Sequence, residues 1–361
     1  MPLIYSVAKN KITPPEPPRP TSNRPPSRLD PNATPANFMR AVARIVVALG
    51  RNALAANQPA HETVERTWPT DRVAPLVLRA AMTPTTTASA AALAPIAQAF
   101  LAALTPMSAG ADLLNRGLAL RFDGVASINV PGLGVPTADF VAEGEAIPTT
   151  EALPAPAARL TRHKIAVIAT ATREMLHNPA AEDLIRQILI ETTGPALDRV
   201  LLSTSAASLD HPAGLLNGIA PLPATGDLID KLVAVASAVA PVAGNGSIAI
   251  VAAAAQAAAI NLRLPRAPIY PILSSTTLTP GTIIAVALPA LVSAVEIIRV
   301  EASTDAVVHE ESSSPAVNIG GGVMAHPLRS FFQSDTVGLK LRWPISWALR
   351  DPRAVAWMQG V

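Results

Sequence analysis

The chain has 361 residues, of which half are hydrophobic but only 3% aromatic, and its formal net charge is +2. A chain of this length can bury a substantial core, while the absence of cysteine excludes disulfides, thiolate metal sites and cysteine nucleophiles. The even charge balance argues against a dedicated nucleic-acid-binding protein, whose affinity rests on neutralising phosphates.

The N-terminal stretch is rich in proline and in basic residues. Residues 1–36 contain ten prolines, and basic residues outnumber acidic ones there. A segment of this composition cannot build a core of its own, so it predicts an extended arm, with a disordered tail as the alternative. The start of the chain lacks the continuous apolar stretch of a secretory signal, and we therefore expect a cytoplasmic protein.

Residues 37–121 are predicted to be mainly helical. Within Asn37–Asn57, apolar residues recur at helical spacing and form one face of an amphipathic helix. A second helix is predicted over Ala88–Leu104, which ends at the breaker TPMSAG. After Arg116 the pattern becomes typical of strands.

An acidic segment follows in Ala138–Ala152, ADFVAEGEAIPTTEA. It lies within residues 122–163, where proline and glycine separate short alternating runs. An excursion of this length without its own core is usually functional or disordered. Its carboxylates are Asp139, Glu143, Glu145 and Glu151, and the basic residues that come next are Arg159, Arg162 and Lys164.

These charges allow two interpretations. On a strand, Glu143 and Glu145 would lie about 6.6 Å apart, near the separation of glycosidase carboxylates. Sugar sites generally need aromatic platforms, however, and the surrounding residues offer only Phe122 and Phe140, which argues against catalysis. The other interpretation is a solvated or ion-paired loop, in which acids matched by downstream bases form an intermolecular contact.

A strand is predicted over Ile165–Thr170, running into a short helix and then a long one. Asn178 is a suitable N-cap for the long helix, with Pro179 as its first residue. Gly194 and Pro195 interrupt the apolar face, and proline removes a backbone donor there. We therefore expect a kinked or broken helix.

Helices and strands alternate from Thr225 to Ala325, which predicts a mixed α/β unit. The closing stretch has apolar residues on one side of a strand from Val337 to Trp343. The mean hydropathy of +0.34 raises the question of a membrane span. The best candidate, Thr282–Val300, contains Pro289 and a glutamate and fits buried strands better, so no membrane contact is predicted.

Motifs for cofactor or metal chemistry are weak. The six histidines include no pair at ligand spacing with a carboxylate as third ligand, so no metal site is predicted. GNGSIA, Gly244–Ala249, fits a dinucleotide fingerprint only formally, because a helix precedes it and a strand follows. The sequence predicts no cofactor and no catalytic residue.

The order of the segments resembles the major capsid proteins of tailed bacteriophages with the Hong Kong 97-type shell fold. The resemblance extends from about Ala91 to the C-terminus. It rests on five segments in order: FVAEGEAIPTTEA, KIAVIATATREML, AAEDLIRQILIETTGPALDRVLL, DHPAGLLNGI and SFFQSDTVGLKLRWPISWALRDPRAVAW.

The resemblance implies an α+β fold and a division of the chain. A peripheral domain with a long spine helix, an axial domain, an extended two-stranded loop and an N-terminal arm are expected. The implied boundaries are 1–36 for the arm, 37–121 for the helical region, 122–163 for the extended loop, 164–224 and 327–361 for the peripheral domain, and 225–326 for the axial domain.

The resemblance also implies a structural role without catalysis. Pentamers and hexamers of this chain would form an icosahedral shell around double-stranded DNA, assembled in the host cytoplasm. The extended loop and the arm would hold neighbouring capsomers; portal and decoration proteins are further partners, and DNA contact would be weak and non-specific. The loop contact residues would be Asp139, Glu143, Glu145, Glu151, Arg159 and Arg162.

Two alternatives stay open at this point. One is a shell of the same fold that encloses protein cargo, as in encapsulin-like nanocompartments. The other is a soluble α/β enzyme that uses Glu143 and Glu145. Some capsid proteins of this family join subunits by a lysine–asparagine bond, but Phe122–His163 contains no lysine, so no covalent lattice is expected through this loop.

Overall fold

The computed structural model describes residues 35–55, 59–82, 98–122, 124–132, 141, 158–264, 269–305, 307–309, 328–331 and 334–360. The predicted arm therefore lies almost wholly outside the described residues, as does the first part of the predicted helix Ala88–Leu104.

The helices are α1 Pro35–Ala55, α2 Ala60–Thr67, α3 Val73–Met82, α4 (described over 98–104), α5 Ala109–Arg116, α6 Arg173–His177, α7 Ala181–Leu201, α8 Leu228–Val239 and α9 Ala254–Arg263. Short 3₁₀ helices are Ala240–Val242, Leu288–Ala290 and Pro352–Ala354.

The strands are β1 Leu118–Arg121, β2 Ser127–Val130, β3 Ala158–Thr161, β4 His163–Thr172, β5 Ile248–Ala253, β6 Ile272–Ser275, β7 Ile283–Ala287, β8 Leu291–Val295, β9 Arg299–Ser303, β10 Val307–His309, β11 Leu328–Ser330, β12 Thr336–Leu349 and β13 Val355–Met358. Helices and sheets from separate parts of the chain confirm the α+β class.

A five-stranded sheet is organised around β12. One edge of β12 pairs with β4, and the other pairs first with β9 and then with β8, all antiparallel; β1 adds in parallel to β8. The predicted alternation from Val337 to Trp343 is confirmed, because these apolar side chains are buried. Trp343 packs edge-on against Phe100 of α4, with ring centroids 4.8 Å apart, and Phe100 meets Phe38 of α1.

A four-stranded sheet has the order β13-β7-β5-β6, with α9 connecting the parallel strands β5 and β6. Ile248 and Ile250 of β5 face α8 and α9, while Ala249 and Val251 face the main core. Both faces are thus covered, which explains why the buried strand reads as a continuous apolar run without alternation.

The long helix α7 is joined to the N-terminal helices by buried polar contacts. Arg44 of α1 lies 3.0 Å from Glu182 of α7 and 2.9 Å from Asp71. Desolvation lowers the pKa of Arg44, but its hydrogen bonds and ion pairs with Glu182 and Asp71 outweigh that loss and leave the pKa raised. The guanidinium therefore stays charged and holds three segments together.

A second junction forms around Asp198, near the end of α7. The side chain of Asp198 is almost fully buried. Its carboxylate accepts hydrogen bonds from the amides of Ala109 and Gly110, at 3.2 and 2.8 Å, and from the hydroxyls of Ser108 and Ser275. These donors belong to the start of α5 and the end of β6. One carboxylate thus connects α7, α5 and the four-stranded sheet, with its charge satisfied inside the core.

The structure corrects the prediction for the long helix in two respects. Helix α7 runs unbroken through Gly194 and Pro195, so the expected break is not observed. Gly194 packs closely on the Met107 carbonyl, where a Cβ would lie 3.3 Å from the oxygen. The helix also begins at Ala181 and not at Pro179; Asn178 accepts a hydrogen bond from the amide of Ala180 in the turn before it.

Sheet pairing cuts across the predicted domain boundaries. Strands β8 and β9 fall within residues 225–326, yet they pair in the five-stranded sheet. Strand β13 falls within 327–361, yet it pairs with β7 in the four-stranded sheet. Pairing depends on hydrogen bonds between strands that are distant in sequence, which composition along the chain cannot reveal.

Among the described residues, no helix is long and apolar enough to cross a membrane.

Candidate functional site

A two-stranded ribbon leaves the edge of the five-stranded sheet. Strands β2 and β3 pair antiparallel, with Ile128 opposite Leu160. Leu160 and Val130 are buried in a small cluster with Phe122 and with Val292 of β8. This cluster fixes the base of the ribbon on the sheet.

The outgoing strand is fixed again just beyond the cluster. The guanidinium Nε of Arg350 donates to the Pro131 carbonyl oxygen at 2.9 Å. The returning strand is held by the amide of Arg162, which donates to the Ala126 carbonyl at 3.1 Å. Arg350 thus bonds the outgoing strand to the body of the protein, and the Arg162 amide joins the two strands of the ribbon at its base.

The predicted contact residues fall into two groups. The four carboxylates, Asp139, Glu143, Glu145 and Glu151, lie outside the described residues, so the proposed Glu143–Glu145 pair has no described geometry. The basic residues Arg159 and Arg162 are described, and both are exposed at the base of the ribbon.

Arg159 and Arg162 occupy different surroundings. Arg159 lines a cleft of about 380 Å³ between β3, β12 and the loop 203–219. Arg162 forms an ion pair with Glu296, which follows β8. His163 lies between them, with Nδ1 3.0 Å from the Thr161 carbonyl oxygen and Nε2 3.3 Å from that of Ser208.

A second cleft, of about 510 Å³, lies on the open face of the five-stranded sheet, and we call it the basic cleft. Its lining is dominated by cationic side chains, with one carboxylate and two apolar residues. The lining residues are Arg162, His163, Lys164, Leu209, Asp210, Arg299, Arg342 and Pro344.

Two members of this cleft, Arg299 and Arg342, were not predicted as contact residues from the sequence. They lie directly opposite each other in the β9–β12 pairing, and the neighbouring pair joins Lys164 of β4 to Pro344 of β12. Three strands from distant parts of the chain thus place their basic residues on one surface. The alternation along β12 pointed to the face of Arg342, but no local signal gave the strand pairing.

Carboxylates nearby neutralise some of these cations. Glu301 of β9 forms ion pairs with Arg342 and, at 3.6 Å, with Lys340. Lys164 and Arg299 are exposed, and no carboxylate among the described residues lies within salt-bridge distance of either. The cleft therefore presents uncompensated positive charge to solvent.

No group of three or more metal-ligating side chains occurs among the described residues. The chemistry available in the two clefts is ionic and hydrogen-bonding contact, through guanidinium, ammonium, imidazole and carbonyl groups. This donor set suits the recognition of an acidic partner.

Comparisons with solved structures extend over 70–77% of the chain. No curated protein matches it. A solved structure from Mycobacterium phage Adephagia is 17% identical, with a TM-score of 0.48, over 77% of this chain and 98% of that one. A chain of Mycobacterium phage Cain is 16% identical, with a TM-score of 0.49 and the same coverage. A chain from the capsid of an empty GTA particle is 14% identical over 70% of this chain and 90% of that one, with a TM-score of 0.46.

The sequence itself matches one family model. The model of the phage capsid family covers residues 92–263, from the region before α4 to the end of α9. That range includes the ribbon, the long helix α7 and the first strand of the four-stranded sheet. Residues 92–263 thus match the model of the phage capsid family, which confirms the resemblance predicted from the order of the segments.

Proposed function

We propose that this phage shell protein is a major capsid protein, many copies of which assemble into an icosahedral shell around double-stranded DNA of a tailed phage or prophage-derived particle. The observation that carries the proposal is the family match across residues 92–263. In this proposal the protein has a structural and not an enzymatic role. It would act in the virion, after assembly in the bacterial cytoplasm.

The architecture supports a division of labour within the shell. We assign α7 and the five-stranded sheet to the peripheral domain, and the four-stranded sheet with α8 and α9 to the axial domain at the centre of pentamers and hexamers. The ribbon is the start of the extended loop, and the N-terminal region is an arm that reaches neighbouring capsomers. Portal and decoration proteins would bind the finished lattice, and DNA would contact its interior weakly.

Burial of apolar surface between subunits would drive assembly. Each square ångström buried stabilises the contact by about 25 cal/mol before ordering costs are subtracted. Large exposed apolar side chains on α8 are available for such burial, since Ile229 and Val233 are 52% and 58% exposed. They are about one helical turn apart and therefore lie on the same side of α8.

Expression of the chain alone, followed by negative-stain electron microscopy and light scattering, tests this proposal. Closed hollow particles tens of nanometres wide are the expected result. A uniform monomer or dimer up to the highest soluble concentration would contradict self-assembly. Particles that protect DNA from nuclease would support a genome shell, whereas particles that hold protein instead would favour the nanocompartment alternative.

The shell should also be free of covalent links through the extended loop. Because Phe122–His163 contains no lysine, no isopeptide bond can form from a lysine there. Boiling the particles in denaturing, reducing gel buffer should release a monomer of 37.3 kDa. A persistent ladder of multimers would contradict this expectation.

A further inference from the structure

We propose that the basic cleft binds the acidic segment 139–151 of a second copy of this chain. The inference rests on the proposed shell function and names the surface through which an extended loop would meet its neighbour. It is carried by the charges of the cleft, by the composition of the loop and by the position of the cleft at the ribbon base.

The cleft contains a repulsive arrangement that an anion would relieve. Arg299 and Arg342 are directly opposite in the β9–β12 register. Like charges directly opposite each other destabilise a sheet. Among the described residues, Glu301 forms an ion pair with Arg342 but not with Arg299. An incoming carboxylate near Arg299 and Lys164 would therefore gain attraction and remove repulsion.

The loop between the ribbon strands has the complementary composition. Residues 122–158 contain no lysine, arginine or histidine, whereas four carboxylates lie in 139–151. Phe140 and Val141 stand beside the first of these acids. The cleft offers an apolar surface to match them, because Leu209 is 100% exposed at its edge.

This mixed character favours a peptide over nucleic acid. Phosphates would use the cations but would gain nothing from an exposed leucine. A peptide with alternating acidic and apolar residues can use both parts of the cleft. Contact of this kind contributes register and selectivity between subunits.

Chain length allows the partner to be a different copy. The 27 residues between Val130 and Ala158 can project about 40 Å as a two-stranded excursion. The cleft lies beside the base of that ribbon, since Arg162 directly follows β3. A segment of this length can carry acids near its middle beyond their own cleft to a neighbouring subunit.

A binding measurement in trans tests the proposal. The receptor is the full chain with its own acids neutralised by Asp139→Asn, Glu143→Gln, Glu145→Gln and Glu151→Gln, so that its own loop does not compete. A fluorescent peptide of Ala138–Ala152 is titrated with this receptor and followed by anisotropy. Lys164→Glu with Arg299→Glu in the receptor should weaken binding about tenfold or more, and neutralising the acids of the peptide should have the same effect.

The matched control moves the same amount of charge elsewhere. Arg199→Glu with Lys231→Glu changes residues of α7 and α8 outside the cleft, and peptide affinity should stay unchanged. A peptide with lysines in place of its glutamates should bind the Lys164→Glu, Arg299→Glu receptor better than the unmodified receptor. Thermal unfolding of each receptor checks that it is folded; if the reversed receptor is not, the neutralised peptide still decides the question.

Three outcomes would overturn the proposal. One is equal affinity for the acidic and the neutralised peptide, and another is equal loss in the control receptor. The third is that charge reversal in the receptor abolishes binding of a short DNA duplex but leaves peptide binding intact. The cleft would then be a phosphate-binding surface. If the wild-type chain forms particles but the receptor with neutralised acids does not bind the peptide, this inference alone is contradicted, whereas failure of the wild-type chain to assemble would contradict the shell function.

Discussion

Asp198 and the basic cleft show two opposite ways of placing charge in one molecule. Asp198 is 2% exposed, and the amides and hydroxyls around it satisfy both carboxylate oxygens. Lys164 and Arg299 are exposed and, among the described residues, have no carboxylate partner. A satisfied buried charge fixes the fold of the subunit, whereas an exposed and unmatched one is available to a partner. Changes at the two sites should therefore have different consequences.

The largest effect on folding is expected from Asp198→Ala. The change leaves the amide of Gly110 and the hydroxyl of Ser275 without their acceptor inside the core. Unsatisfied buried donors cost about 1–3 kcal/mol each, so unfolding should be easier by about 3 kcal/mol or more. Denaturant unfolding of the full chain measures this loss. Asp210→Asn, at an exposed carboxylate, is the matched control and should change stability by less than about 0.5 kcal/mol.

Lys164→Glu with Arg299→Glu should show the reverse behaviour. Both side chains are exposed, so the free energy of unfolding of the subunit should change by about 0.5 kcal/mol or less per site. Particle formation, measured by light scattering, should fail or shift to a much higher protein concentration. A destabilised subunit that still forms normal particles would contradict the comparison, because the cleft charges would then stabilise the fold and not the contact between subunits.

Salt concentration should affect the two sites differently, and the difference should be smaller than that produced by the substitutions. Exposed charges are screened over about 8 Å at physiological ionic strength, whereas a buried carboxylate is screened much less. Raising the salt concentration should weaken assembly through the cleft and leave the unfolding midpoint of the subunit nearly constant. Assembly that does not depend on salt would show that charge contributes little to the contact.

The smallest expected effect is a dependence of stability on pH at Asp351. Its hydrogen bond with Arg353 lowers the pKa of the Asp351 carboxyl below its ordinary value of 3.8. Since the folded pKa is lowered, the stabilisation is present above that ordinary value and is lost as the pH falls through the folded pKa. Arg353 is largely exposed, so solvent screening keeps the contribution small. Asp351→Asn should flatten the acid limb of a stability–pH curve slightly, and an unchanged curve would contradict this assignment.

Local patterns predicted much of the architecture. Alternation along Val337–Trp343 and the apolar run of β5 correctly gave a half-buried and a fully buried strand. Both patterns reflect which side chains are buried, and the order of apolar and polar residues along the strand indicates this directly. The resemblance to capsid proteins depended on the order of such segments, and the family match confirms it.

Features set by distant contacts could not be predicted in this way. The partners of Asp198 lie about 80 to 90 residues away along the chain, as the bonds to Ser108 and Ser275 show. The register that sets Arg299 opposite Arg342 is likewise a product of tertiary pairing. Pro195 predicted a kink or a break from local sterics, but α7 continues through it without a break.

The most direct test of a lattice held through loop and cleft uses the absence of cysteine from the chain. Glu145→Cys with Lys164→Cys introduces one thiol in the acidic segment and one in the cleft, and a short bismaleimide can then join them in assembled particles. The account predicts a ladder of covalent multimers on a denaturing, reducing gel, with none from either single variant. Monomer alone from the double variant, within particles of normal size, would contradict it.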